Sequence, residues 1–293
     1  MSIPKQGFPM YASINRLCIY PVKSLKGIEV QQAKCLPTGL EFDREWVVVD
    51  HKNRFMTQRQ LPKMATIETH ISNDSLVLSH SEHGAIHVPL NTPPWQDPKA
   101  DTREIIVWKD KCQAFDEGKA VSDWLTDVLE FAAKGTLHLM RFPQQEKRVV
   151  QPKFTQRDDG VLKFADACPY LVVNTESLDA LNTELEQQQL SAIDMNRFRG
   201  NIEISGIPAW QEYQSSKMTI GDVILKAEGP CHRCPMPGID QLTGITKEPG
   251  QPFKTLMELD VPEGKSGAYF GMHATFLSGE GNTIAVGDQI ELI

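Results

Sequence analysis

Short runs of β-branched and apolar residues, broken by turn formers every eight to twelve positions or so, dominate the first ninety residues and restrict the fold to packed or closed β-sheets. Arg16 to Val22, Gly27 to Leu36, Glu45 to Asp50, Thr66 to Ile71, Ser75 to Ser79 and Ala85 to Pro89 are the predicted strands. Lys52-Asn53 and Asn73-Asp74 separate such runs, and Asn and Asp tolerate the positive φ that tight hairpins need, so this region is expected to be antiparallel. Asn91 to Pro98 is expected to be a surface loop, because Pro93, Pro94 and Pro98 each remove a donor that a central strand requires.

Helical spacing appears twice. Val121, Trp124, Leu125, Val128 and Leu129 predict a helix stopped by Gly135 after Lys134. Leu178, Leu181 and Leu185 predict a second helix starting near Ser177. β patterning then resumes in Asn201 to Ser205, Met218 to Ile220, Val223 to Ala227, Thr283 to Val286 and Gln289 to Ile293. Ile220-Gly221-Asp222-Val223 and Val286-Gly287-Asp288-Gln289 share a Gly-Asp turn, although their flanks do not match as a repeat. The expected class is mainly β with some helix (α+β). The polar stretch Gln144 to Asp159 either separates two halves, 1–145 and 146–293, or is a surface loop within one domain.

With 293 residues, core formation is not limiting. Lys and Arg number 30 against 38 Asp and Glu, a net charge of −8, which argues against nucleic acid as a partner and confines any anion site to a local cluster. No apolar stretch is long enough to span a bilayer, and Met1 to Asn15 lacks a secretory core, so no membrane partner and a cytoplasmic location are expected. Six scattered cysteines fit reduced thiols in that compartment.

Only Cys231 and Cys234 lie close together, in Gly229-Pro230-Cys231-His232-Arg233-Cys234-Pro235-Met236-Pro237-Gly238-Ile239-Asp240, which is expected to be a shaped loop after a strand. A structural zinc needs four ligands, and no second Cys or His pair stands at metal spacing. A thioredoxin-like pair opens a helix, whereas Pro235 follows Cys234 and Pro237 biases Met236 toward extended backbone. An iron–sulfur cluster needs four clustered cysteines. Two readings stay open: two ordinary loop thiols, or one thiolate, helped by Arg233 and His232, on a metal held mainly by another group.

At this loop the chain resembles the MOSC superfamily, with likeness to its YcbX-type and mitochondrial amidoxime-reducing branches over nearly the whole length. Tyr20-Pro21-Val22-Lys23-Ser24-Leu25-Lys26-Gly27 and Asp43-Arg44-Glu45-Trp46 look like the family's N-terminal β-barrel portion. Phe198-Arg199-Gly200-Asn201-Ile202, Ile220-Gly221-Asp222, the cysteine loop and Val286-Gly287-Asp288 look like its C-terminal MOSC β-barrel domain. The resemblance implies a molybdenum–molybdopterin (Mo-pyranopterin) cofactor whose metal takes Cys234 as its protein ligand, with Cys231 a neighbour and not a ligand. It implies cofactor contacts at Lys23, Ser24, Arg44, Asp166, Ala167, Cys168, Arg199, Asn201 and Arg233. The bland alternatives are solvated charges for Lys23 and Arg44, a turn role for Asn201 and an apolar filler for Cys168.

His273, in Phe270-Gly271-Met272-His273, stands where the mitochondrial relatives have a tyrosine near the cofactor. Asp240 is expected either as a catalytic group orienting a water or substrate N–H, or as a turn cap. Met236-Pro237-Gly238 departs from the residues that follow the cysteine in those relatives, which bears on substrate range. The implied activity is reduction of N-hydroxylated compounds (hydroxylamines, amidoximes, N-hydroxylated bases) to amines, and the alternative is a carrier of the cofactor or of sulfur. Because the chain stops at Ile293 without the four-cysteine ferredoxin-like extension of some bacterial relatives, electrons are expected from a separate protein, a flavoprotein or an iron–sulfur or haem carrier.

Overall fold

The strand Met10–Ile19 is the first in the chain, yet it completes a barrel built mostly from the last third of the sequence. In the computed structural model, which describes residues 9–90, 101–144 and 146–293, it pairs antiparallel with both Ile202–Ser205 and Gln289–Leu292. Around the barrel the order is Ile202–Ser205, Tyr170–Asn174, Tyr269–Ser278, Val223–His232, Lys217–Ile220, Gln289–Leu292 and Met10–Ile19, and the last pairs with the first, giving seven staves. Closure leaves no edge among these staves. Its interior is a packed core that includes Ile14, Leu17, Val172, Ile202, Met218, Leu225, Met272 and Leu292.

Among the seven staves only Tyr170–Asn174 and Ile202–Ser205 run parallel, and the helix Thr175–Gln187 makes the crossover that parallel pairing requires. Asn174 caps this helix, its side chain accepting from the Glu176 N–H at 3.2 Å, while Leu181 and Leu185 bury against Val173 and Phe198. Gly221-Asp222 forms a two-residue hairpin in which Ile220 faces Val223. Gly287-Asp288 plays a different part, leading from Thr283–Ala285, paired with Gln32–Leu36, into the barrel strand Gln289–Leu292.

The early region is antiparallel, as its patterning predicts. Glu68–Ile71, Ser75–His80 and Gly84–Pro89 form one three-stranded sheet. Trp46–Val49, His138–Arg141, Asp110–Asp116 and Thr102–Val107 form a four-stranded sheet. The helix Lys119–Val128 packs Val121, Leu125 and Val128 into the core beneath both. It ends earlier than Gly135: Glu130 takes the left-handed conformation (φ 52°) and a separate 3₁₀ turn covers Ala132–Lys134. The expected loop Asn91 to Pro98 lies outside the described residues. Within Gln144 to Asp159, Arg148–Val149 pairs with Val161–Leu162, and the Arg148 guanidinium is buried against Asp110 and the Lys163 carbonyl. Among the described residues no helix is long and apolar enough to cross a membrane.

Candidate functional site

Where the chain leaves the first barrel strand it turns twice, and both turns face one end of the barrel. Pro21–Leu25 runs beside Trp46, with Lys23 N–H donating to the Trp46 carbonyl and Leu25 N–H to that of Val22. This places Ser24 at φ 67°. The second turn places Arg44 at φ 47°, and across from it the end of the 3₁₀ turn Met195–Phe198 places Arg199 at φ 56°. Left-handed backbone is unfavourable for non-glycine residues and persists where surrounding contacts impose it. Three such residues line a single hollow, together with Lys23, Asp166, Ala167, Cys168, Asn201, Cys231, Arg233 and His273.

The hollow is cationic and buried. Tyr20 lies between two guanidiniums, Arg44 at 4.3 Å and Arg199 at 4.2 Å from its ring centre. Arg44 Nη1 is paired with Asp43, and its Nη2 donates to the Arg199 carbonyl at 3.0 Å. Burial lowers Arg199 to about 10, which leaves it a cation at neutral pH. Burial also lowers Lys23 against the pull of Asp166, while its Nζ donates to the Phe164 carbonyl at 2.8 Å and to Asp166. Asp166 stays ionised: burial opposes its charge, but Lys23, Trp108 and Arg59 outweigh that and hold it well below the usual carboxylate range.

Three buried polar atoms in this hollow have no hydrogen-bond partner: Arg199 Nη2, Arg233 Nε and His273 Nδ1. Two of these can only donate. A buried donor left unsatisfied costs about 1–3 kcal/mol, so three in one place mark a surface shaped for an acceptor-rich ligand. The hollow's volume is about 90 Å³. That is the scale of an anionic head group, below the usual size of a site for a whole drug-sized ligand. Asn201 contributes differently: its Nδ2 donates to the Cys18 carbonyl and its Oδ1 accepts from Leu171 N–H, so it ties the barrel closed beneath the hollow.

The two clustered cysteines part company. Against expectation, the strand Val223–His232 carries straight through Gly229, Pro230 and Cys231, because bulges between Ala227 and Gly229 and between Pro230 and His232 absorb the proline and the glycine (φ 142°). Met236–Gly238 is a 3₁₀ turn following Pro235, where extended backbone was predicted. This change of structure aims Cys231 into the cationic hollow and Cys234 into a second one. Cys231 is buried; burial would raise its thiol, but His273 and Arg233 overcome this and bring it to about 6, with Arg233 Nη1 3.1 Å from its sulfur.

Arg233 therefore serves Cys231, and its Nη2 donates to the Phe198 carbonyl. His232 supports neither thiol, since its ring packs edge-on against Phe253 and Tyr269. The cation beside Cys234 is Arg59, whose Nη1 lies 3.4 Å from the sulfur. Arg59 stacks on Trp108 (5.0 Å), and Trp108 Nε1 donates to Asp166 at 2.6 Å. Trp108 is half exposed and holds φ 59° at the tip of the hairpin between Thr102–Val107 and Asp110–Asp116. Sequence reasoning missed both residues, because neither stands in a motif and each reaches the site only through the tertiary approach of the N-terminal sheets.

Asp240 does not join the hollow. Its Oδ1 accepts from Leu242 N–H, Thr243 N–H and Thr243 Oγ1, and its Oδ2 pairs with Arg197 at 3.1 Å, so it caps the turn over Gln241 to Gly244. The cysteine loop has no set of protein ligands of its own: among the described residues, the group of three or more with converging ligand atoms is His80, Glu82 and His83, none of which lines either hollow. All six cysteines are free thiols.

Residues 11–132 match the MOSC N-terminal beta barrel domain and residues 159–291 match the MOSC domain. The chain is 31% identical to mitochondrial amidoxime-reducing component 1 of Mus musculus, over 96% of this chain and 82% of that protein. Against the Homo sapiens protein of the same name, identity is 30% over 96% and 83%. Identity to molybdenum cofactor sulfurase of Homo sapiens is 28%, over 94% of this chain and 32% of that longer protein. On this match, and with an N-terminal β region joined to a closed barrel, the chain belongs to the MOSC family.

Proposed function

We propose that this protein holds a molybdenum–pyranopterin cofactor and reduces N-hydroxylated compounds to amines with electrons from a separate donor protein. The observation that carries this is the set of orphaned buried polar atoms on Arg199, Arg233 and His273, gathered with Lys23 and Arg44 in one hollow of a net acidic chain. Such a set fits the phosphate and polar ring of a pterin better than an apolar ligand. Identity to amidoxime-reducing components along 82% of their length supports the choice of reaction.

Lys23, Ser24, Arg44 and Arg199 would hold the anionic end, with Asp166, Ala167 and Cys168 along the wall. Cys234 would supply the sulfur ligand, with Arg59 Nη1 3.4 Å from it. When bound, the cofactor supplies the two-electron chemistry by which R–NH–OH, two electrons and two protons become R–NH₂ and water. The chain's own part is to keep the anion site dry, to fix the thiolate and to orient the N–O bond. Six free thiols fit a reducing compartment, and we place the activity in the cytoplasm.

Protein made in a cofactor-assembling host is analysed for molybdenum beside Cys234→Ala and given benzamidoxime with a chemical reductant. Stoichiometric metal in the parent, its loss in the variant and formation of benzamidine are expected. Metal that binds without turnover and passes readily to an acceptor enzyme points instead to a cofactor carrier. Metal-free parent protein overturns both.

A further inference from the structure

Cys234 opens onto a second hollow of about 380 Å³, within the usual size of a small-molecule site. Its walls are apolar and stiff: Pro62, Pro237, Pro252, Phe253, Leu256 and Ile239. The loop that shapes it is closely packed, since a Cβ on Gly238 would lie 2.8 Å from the Gln251 carbonyl oxygen. No carboxylate lines it. Two guanidiniums line it: Arg233, shared with the first hollow, and Arg59, fixed between Trp108 and Cys234. Of the residues in the cofactor reading, Cys234 and Arg233 border this space; its remaining walls have no part in that reading.

We propose that this hollow receives the uncharged aromatic or aliphatic body of the N-hydroxylated substrate and rejects the cationic amine or amidine that reduction produces. The inference rests on the proposed function for what lies beside Cys234, but its binding chemistry stands on these walls alone. An amidoxime is neutral at pH 7, so it gives up little hydration on entering, and its N–O oxygen can accept from the Arg59 guanidinium. Loss of that oxygen yields an amidine, which takes a proton to become a cation. That cation meets apolar walls, no carboxylate and two guanidiniums, each of which raises its free energy. Arg59 is thereby a positioning residue for the substrate and an electrostatic gate for the product. Rigid prolines keep the space formed before binding, which lowers the ordering penalty.

The test is binding, not turnover. Benzamidoxime and benzamidinium, alike but for one oxygen and one charge, are titrated into the full chain as purified and followed by ligand-observed NMR. The parent is expected to bind benzamidoxime about tenfold more tightly than benzamidinium, the scale of one unfavourable charge in a partly screened site. Arg59→Gln is expected to narrow that ratio by strengthening benzamidinium, and Phe253→Ala to weaken benzamidoxime by about tenfold through loss of ring burial. Phe253→Leu keeps apolar bulk and should fall between. Equal binding of the two ligands by the parent overturns the inference, as does unchanged benzamidoxime binding in both Phe253 variants. Because no reduction is measured, metal-free protein with this preference sinks the proposed function and leaves the hollow's selectivity standing.

Discussion

The two hollows on either side of the cysteine loop are opposites. One is small, cationic and lined by polar atoms without partners; the other is several times larger, walled by proline and aliphatic groups, with Arg59 beside its thiol and Arg233 shared between the two. Cys231 faces the first and Cys234 the second, although three positions separate them. The difference teaches that a Cys-x-x-Cys spacing says nothing by itself about shared chemistry. A strand end followed by a 3₁₀ turn sends the two sulfurs into unlike surroundings, so they cannot be expected to act as a redox pair or a joint metal site.

The comparison breaks first at the thiols themselves. Cys234→Ala should abolish molybdenum retention, whereas Cys231→Ala should keep most of it, read by metal analysis on protein of equal folded content. Equal losses in the two variants would show that the hollows are one functional unit. Next in size, Arg199→Gln should release pterin, because a hydrogen bond to a charged group is worth about 1.5–3 kcal/mol, a weakening of roughly ten- to a hundredfold. Pterin fluorescence after gel filtration reads this, and retention equal to the parent's would count against the cationic hollow as the anion site.

A pH test sharpens the contrast in cofactor-free protein. The Cys231 thiol goes from an ordinary value of 9.0 to about 6 on folding, so the native state favours the thiolate. Its contribution to stability is complete above pH 9, shrinks as pH falls between 9 and 6, and is gone below about 6. The melting temperature of the parent should therefore rise more between pH 6 and 8.5 than that of Cys231→Ser. Identical slopes would remove the Arg233–His273 environment as the cause. Smallest of all, Asp240→Ala should destabilise by about 1 kcal/mol through loss of a turn cap, a fall of roughly 2–4 °C in Tm. A larger loss in turnover than in stability would restore Asp240 as a catalytic group.

Much of the scaffold could be read from the chain. Alternation in Ser75–His80 and Gly84–Pro89, and the Gly-Asp hairpin at 221–222, specify local antiparallel structure because one face is buried and the other wet. Tyr170–Asn174 escaped because it is buried on both faces and shows no alternation. Tyr269–Ser278 escaped because Gly271 (φ 80°), His273 and Thr275 interrupt its apolar run, although they lie inside the sheet between two neighbours. Of the site, resemblance supplied the residues of the cationic hollow, which stand in recognisable motifs. It did not supply Arg59 or Trp108. Their roles arise from how separate sheets meet, and no short window of sequence encodes that meeting.

The strand Met10–Ile19 lies between one stave formed near residue 203 and another near residue 291. During synthesis its Leu17–Ile19 end can pair early with Ile28–Val30, but its two barrel partners emerge only after most of the chain has been made. The anion site sits on the turn that follows this strand, so it cannot exist on a half-made polypeptide. On the proposed function, cofactor loading would be deferred until translation is nearly finished, and a fragment beginning at residue 159 would carry Cys234 on a ring with a missing segment.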